Sequence, residues 1–171
     1  MTTFNSSRSD AIVSEFLARD VKLARKVQVF EKVFDSPPEV VFRQLCPSRE
    51  ADWINGWTVD LKYTKTGYVE PLCVFRTPES NLFGSALWML TRVEPDELLE
   101  GVIIPDDVDI MEHLRIDLID QGDGTCKGIW TLTFTATSES GNGYLAQIPD
   151  DEPPFLEELN YFLNHGELKV W

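Results

Sequence analysis

The chain has 171 residues, 43% of them hydrophobic and 26% charged, a composition that suits one globular domain able to bury its core without metal or disulfide support. Fifteen Lys and Arg stand against 29 Asp and Glu, a formal charge of −14 with no dense basic cluster, which argues against a nucleic-acid backbone or an anionic membrane surface as partner. No apolar run approaches the roughly 18 residues of a membrane-spanning helix, and no basic region followed by a continuous apolar stretch marks a signal peptide.

Residues 1–8 are polar. From Ser9 the pattern turns helical, with Ile12, Val13, Phe16, Leu17, Val21 and Ala24 at three- and four-residue spacing and Ser9 or Asp10 as the expected N-cap. This amphipathic segment, residues 1–26, is expected to precede a single domain over 27–171. Its stripe would lie against that domain or against a second copy of the chain.

Between 27 and 34 the period changes to two, predicting a first strand. Ser36-Pro37-Pro38-Glu39 then reads as a helix start with Ser36 as cap, followed by Val40, Val41, Phe42 and Leu45 and ended by Pro47. A second short helix is expected over 49–54, closing at Asn55-Gly56. Six strands follow, at 58–66, 72–77, 84–93, 98–104, 110–119 and 125–137, separated by Gly, Pro and Asp turn signals; the short connections argue for an antiparallel meander. Helical spacing returns over 153–166 through Phe155, Leu159, Phe162 and Leu163, with Gly166 as C-cap.

This order resembles the helix-grip architecture of the START-like (SRPBCC) superfamily, which includes birch-pollen-allergen-type proteins, lipid-transfer domains and polyketide cyclases. The residues that carry the resemblance are Phe34-Asp-Ser-Pro-Pro-Glu-Val-Val-Phe42, Trp53 and Trp57, Gly124-Thr125 leading into Trp130-Thr-Leu-Thr-Phe-Thr-Ala136, and Leu159-Asn-Tyr-Phe-Leu-Asn-His-Gly166. The resemblance implies an α+β fold: a curved antiparallel sheet of about seven strands wrapped around a C-terminal helix, two short helices after the first strand, and a hydrophobic cavity between sheet and helix. It implies more about a cavity than about any one ligand or reaction.

Side-chain parity gives the faces of that cavity. Trp130, Leu132, Phe134 and Ala136 alternate with threonines, so the first set faces in. In the preceding strand Ile110, Leu114, Ile116 and Leu118 are the apolar parity, and His113, Arg115 and Asp117 the outward one. Matching the apolar faces places Leu114 beside Leu132 and Ile116 beside Trp130, with Gly122-Asp123-Gly124 as an odd-numbered loop. Glu112 then faces inward near Phe134. If Ile104 opposes Ile110, the inward set one strand earlier is Leu98, Glu100, Val102 and Ile104, and Glu100 would stand roughly 5–8 Å from Glu112. In an apolar cavity one member of such a pair would hold a proton, as general acid/base work on a cyclising or dehydrating substrate requires.

The expected function is binding of a hydrophobic small molecule (a lipid, polyketide or isoprenoid-like compound) by Trp88, Met89, Trp130, Phe134, Phe155, Leu159 and Phe162. Two alternatives remain open: a polyketide cyclase or dehydrase using Glu100 and Glu112, and a protein-interaction domain with a closed cavity. Trp53 and Trp57 are expected to close the end of the core, and His165 to cap the last helix. Cys46, Cys73 and Cys126, an odd and widely spaced set, suggest buried reduced thiols in a cytoplasmic protein. With only two histidines, neither a metal nor another cofactor is expected, and a homodimer is possible through the N-terminal stripe.

Overall fold

The computed structural model describes residues 7–20, 22–81 and 83–170. Val21 of the expected N-terminal stripe and residues 1–6 lie outside them. Helix α1 (Ser7–Leu17) starts two residues before the expected caps and stops well before Ala24. Strand β1 (Arg25–Phe34) follows, then α2 (Pro38–Gln44), a 3-10 turn (Glu50–Asp52), and strands β2 (Asp60–Tyr63), β3 (Val74–Thr77), β4 (Ala86–Glu94), β5 (Leu98–Pro105), β6 (Ile110–Asp120) and β7 (Cys126–Ala136). Helices α3 (Glu139–Leu145) and α4 (Pro154–His165) complete the order. The strands form one antiparallel sheet in the order β1-β7-β6-β5-β4-β3-β2, so β1 closes back onto β7 as the helix-grip architecture requires.

Three local expectations need correction. Ser36 does not cap α2: Pro37 holds the N-cap position without a side-chain hydrogen bond, and its carbonyl accepts from the Val40 and Val41 amides. The second short helix is a single 3-10 turn. Helix α3 was not expected, because Gly141 and Gly143 are poor helix formers. Its start is nevertheless stabilised, since Ser138 accepts from the Gly141 amide and Asp109 accepts from both Ser138 and Ser140 hydroxyls.

The β6–β7 register is as expected: Leu114 faces Leu132, Ile116 faces Trp130 and Glu112 faces Phe134, with the Gln121 amide bonded to the Thr125 carbonyl across a loop whose Gly122 and Gly124 take φ of 76° and 88°. Gly128 has a second reason to be glycine. A Cβ there would lie 2.3 Å from the Trp130 ring, so the missing side chain is what lets that indole lie along the inner face.

The apolar interior divides in two. Phe34, Val41, Phe42, Leu118, Cys126, Leu156 and Leu159 belong to the larger cluster, which α2 and α4 complete. Leu156, absent from the expected α4 face, is fully buried together with Leu159, while Phe155, Phe162 and Leu163 are half-buried beside them. The smaller cluster gathers Ile110, Leu132, Phe134, Ala136 and Leu145, which α3 completes. Cys46, Cys73 and Cys126 are free and buried.

Candidate functional site

Between the two clusters lies a hollow of about 540 Å³. Its floor is the inner face of the sheet, with Trp88 of β4, Ile103 of β5, Glu112, Leu114 and Ile116 of β6, and Trp130, Leu132 and Phe134 of β7. Glu50, Trp53, Ile54 and Trp57 wall it from around the 3-10 turn, Tyr144 from α3, and Pro153 and Phe155 from the start of α4. Only the first turn of α4 reaches this wall. The rest of the helix fills the larger cluster, so the hollow sits at the helix N-terminal end and not along its length.

Of the residues expected to bind a ligand, Trp88, Trp130, Phe134 and Phe155 line the hollow. Leu159 and Phe162 do not; they face the filled cluster. Met89 is 39% exposed, because adjacent strand residues take opposite faces and Trp88 takes the inner one. Trp53 and Trp57 close the end of the core as expected and also line the hollow, each anchored by an indole N–H donated to a backbone carbonyl, Gln44 and Pro47 respectively, at 2.8 Å. An aromatic cluster continues the wall, with Trp57 edge-on to Trp88 at 6.1 Å and Phe83 5.7 Å from Phe155.

The expected carboxylate pair is not formed. Strand β5 pairs with β6 through Ile103 opposite Glu112 and Glu100 opposite Arg115, one residue away from the register that would set Ile104 against Ile110. That single step exchanges the faces: Ile103 is buried, Ile104 is 48% exposed, and Glu100 stands on the outer face, where it accepts from Arg115 at 2.6 Å. Arg115 also holds Asp117, and His113 shares this outer parity. His165 meets the Tyr161 carbonyl through Nδ1 at 2.9 Å and stacks on the Tyr161 ring at the end of α4.

Glu112 does line the hollow, together with two carboxyls that sequence reasoning missed, Glu50 beside the tryptophan wall and Asp107 beyond the end of β5. Burial alone pushes Glu112 up to about 7 and Glu50 up to about 8 from an ordinary value of 4.5. Both carboxyls therefore hold a proton more readily than an exposed carboxylate does. The signal that could have found Glu50 is its place between the Arg49 turn and Trp53, one turn before the tryptophan that forms the wall. Among the described residues no group of three or more His, Cys, Asp or Glu is arranged to hold a metal ion, and no helix is long and apolar enough to cross a membrane.

No protein-family model matches the chain, and no curated protein matches its sequence. Solved structures do match. Norcoclaurine synthase from Thalictrum flavum, a point mutant in complex with a transition-state analogue, superposes with a TM-score of 0.66 at 10% identity over 86% of this chain and 99% of that one. A protein of Mesorhizobium loti gives 0.60 at 18% identity over 84% and 100%, and Ara h 8.0201 gives 0.56 at 12% identity over 82% and 99%. At such identities it is the backbone architecture that is shared: this chain has the START-like helix-grip fold.

Proposed function

We propose that the chain binds a hydrophobic small molecule in the hollow at the N-terminal end of α4. The observation that carries this reading is the lining itself: about 540 Å³ walled by four tryptophans, three phenylalanines and aliphatic side chains, in a fold whose α4 could have filled the space and does not. A small domain gains stability by closing such a volume, so a persistent aromatic hollow favours an occupant over a purely structural role. Norcoclaurine synthase, solved with a transition-state analogue, supports the view that this architecture accommodates organic ligands.

The cyclase or dehydrase alternative, as built on Glu100 and Glu112, lacks its pair. The carboxyls raised by burial that could donate a proton to a bound molecule are Glu112 and Glu50, each of which lines the hollow. A closed-cavity interaction domain is disfavoured by the hollow's size.

The test uses the tryptophans as reporters. The neutral apolar dye N-phenylnaphthylamine, titrated into the folded full chain, is expected to bind at one site and take energy transfer from the wall tryptophans. Replacing Ile103→Trp fills the floor and should remove that binding while the far-ultraviolet spectrum is kept. A folded wild-type chain that binds no dye would overturn the reading.

A further inference from the structure

The lining of the hollow is chemically one-sided. Its charged members are Glu50, Asp107 and Glu112, and no Lys, Arg or His stands among the described residues that line it. Four of the chain's five tryptophans, Trp53, Trp57, Trp88 and Trp130, offer ring surface there. Hydrogen-bond donors, by contrast, are mostly engaged elsewhere. The indole N–H groups of Trp53 and Trp57 are bonded to backbone carbonyls, and that of Trp88 donates to Thr77 Oγ1 at 3.1 Å. The Ser85 hydroxyl donates to Asp106, and the Gln147 amide donates to the Gly143 carbonyl at 3.0 Å.

These facts sort candidate head groups. A carboxylate or phosphate would lose its water against ring faces and acidic groups, with no cation in the described lining to offset its charge. An organic cation would meet the opposite: acidic groups that can ionise beside it, and aromatic faces whose quadrupole attracts positive charge. From this lining, and resting on the ligand-site reading above, we infer that the hollow takes an apolar molecule carrying a protonated amine, whose ammonium neutralises the carboxylates of Glu50 and Glu112 while its hydrocarbon or ring lies against the tryptophans.

Binding of such a molecule is coupled to proton release. Both carboxyls are pushed up by burial, and the ammonium restores the ionised form, so the amine displaces a proton that a neutral ligand leaves in place. The other titratable groups facing the hollow are the Asp107 carboxyl beyond the end of β5 and the Tyr144 phenol of α3.

Isothermal titration calorimetry with three molecules of one skeleton tests the inference: naphthylethylamine, naphthylethanol and naphthylacetate, each added to the full chain in two buffers of different ionisation heat. The amine is expected to bind about tenfold or more tighter than the alcohol, with the acid weakest, and to show a buffer-dependent heat that reports proton release. The double variant Glu50→Gln with Glu112→Gln should lose both the amine preference and the proton release while keeping the alcohol. The single variants, checked for folding by circular dichroism, serve the same purpose if the double variant does not fold. Alcohol or acid binding as tightly as the amine would overturn the amine inference and leave the hydrophobic pocket standing. Failure of all three to bind would overturn both, and amine binding unchanged in the variants would overturn the assignment to these carboxylates.

Discussion

Strands β6 and β7 run through two regions that differ only in what covers them. Toward Leu118 and Cys126 the inner face meets α2 and the body of α4, and the space is filled by Phe34, Val41, Leu156 and Leu159, each without measurable exposure. Toward Glu112 and Phe134 the same alternation meets α3, loops and a single turn of α4, and a hollow remains. Alternation therefore sets which side chains point inward, but the elements laid across the sheet decide whether they meet neighbours or open space. A glutamate is tolerated within the second end, whereas at the first end the carboxylate of the same parity, Asp120, stands exposed at the close of β6.

The largest expected effect breaks the filled end. Leu159→Ala removes a side chain packed on every side, and the surrounding helix and sheet relax only in part, so denaturant unfolding should show a loss of about 2–5 kcal/mol. Phe134→Ala is the matched change at the open end. Part of that ring already borders empty space and has fewer contacts to lose, so its cost should fall at or below the lower limit of the usual Phe→Ala range of about 3–5 kcal/mol. Equal losses of about 4 kcal/mol at both positions would mean that the hollow collapses in solution.

A second, smaller effect concerns pH and sharpens the contrast through charge. Glu112 and Glu50 have folded values near 7 and 8, above their unfolded value, so between about pH 4.5 and 8 the folded chain binds more protons than the unfolded one and stability falls as pH rises. The surface carboxylates act in the other direction. Hydrogen bonds from Arg76 to Asp106 and from Lys32 to Glu157 hold those two acids low, a contribution lost only as pH falls through their depressed values. Stability should therefore peak on the mildly acidic side of neutrality. Glu112→Gln should raise it by on the order of 1–3 kcal/mol at about pH 8 and leave it unchanged near pH 4, measured as thermal midpoints across the range. A variant that shifts the midpoint equally at both pH values would show that Glu112 is solvated.

What could be read from the sequence follows the same division. The β6–β7 pairing was legible because strict alternation and the Gly122-Asp123-Gly124 turn specify one register independently. The β5 register was not, because Leu98-Leu99 and Val102-Ile103-Ile104 are apolar on both parities, and the connection after Pro105 carries no glycine to count from. Glu100 and Glu50 changed places for that reason. One sits in a strand whose phase is ambiguous, and the other sits in a 3-10 turn too short to have a phase. Helix α4 was legible from its spacing and its Gly166 cap, which takes φ of 73°, although the N-terminal limit of its filled face, Leu156, came to light only with the packing.

The smallest expected effect lies outside both regions. Helix α1 presents Ile12, Val13, Phe16 and Leu17 at 54–71% exposure, so the expected docking of this stripe on its own domain is not what the structure has. Helix α3 is tied to the chain after α1 instead: the Ala24 amide donates to Asn142 Oδ1 at 2.7 Å, and the Asn142 side-chain amide donates back to the Lys22 carbonyl. Deleting residues 1–19 keeps those bonds, and residues 8–19 are exposed along their whole length. The thermal midpoint of dilute protein should therefore move by less than about 1 °C, since among the described residues removed no buried side chain is lost. A marked fall in the midpoint would show that α1 folds back onto the domain in solution. If the midpoint holds and the mass by light scattering halves, the apolar stripe joins two copies of the chain, and the stripe has the partner that its exposed leucine and phenylalanine otherwise lack.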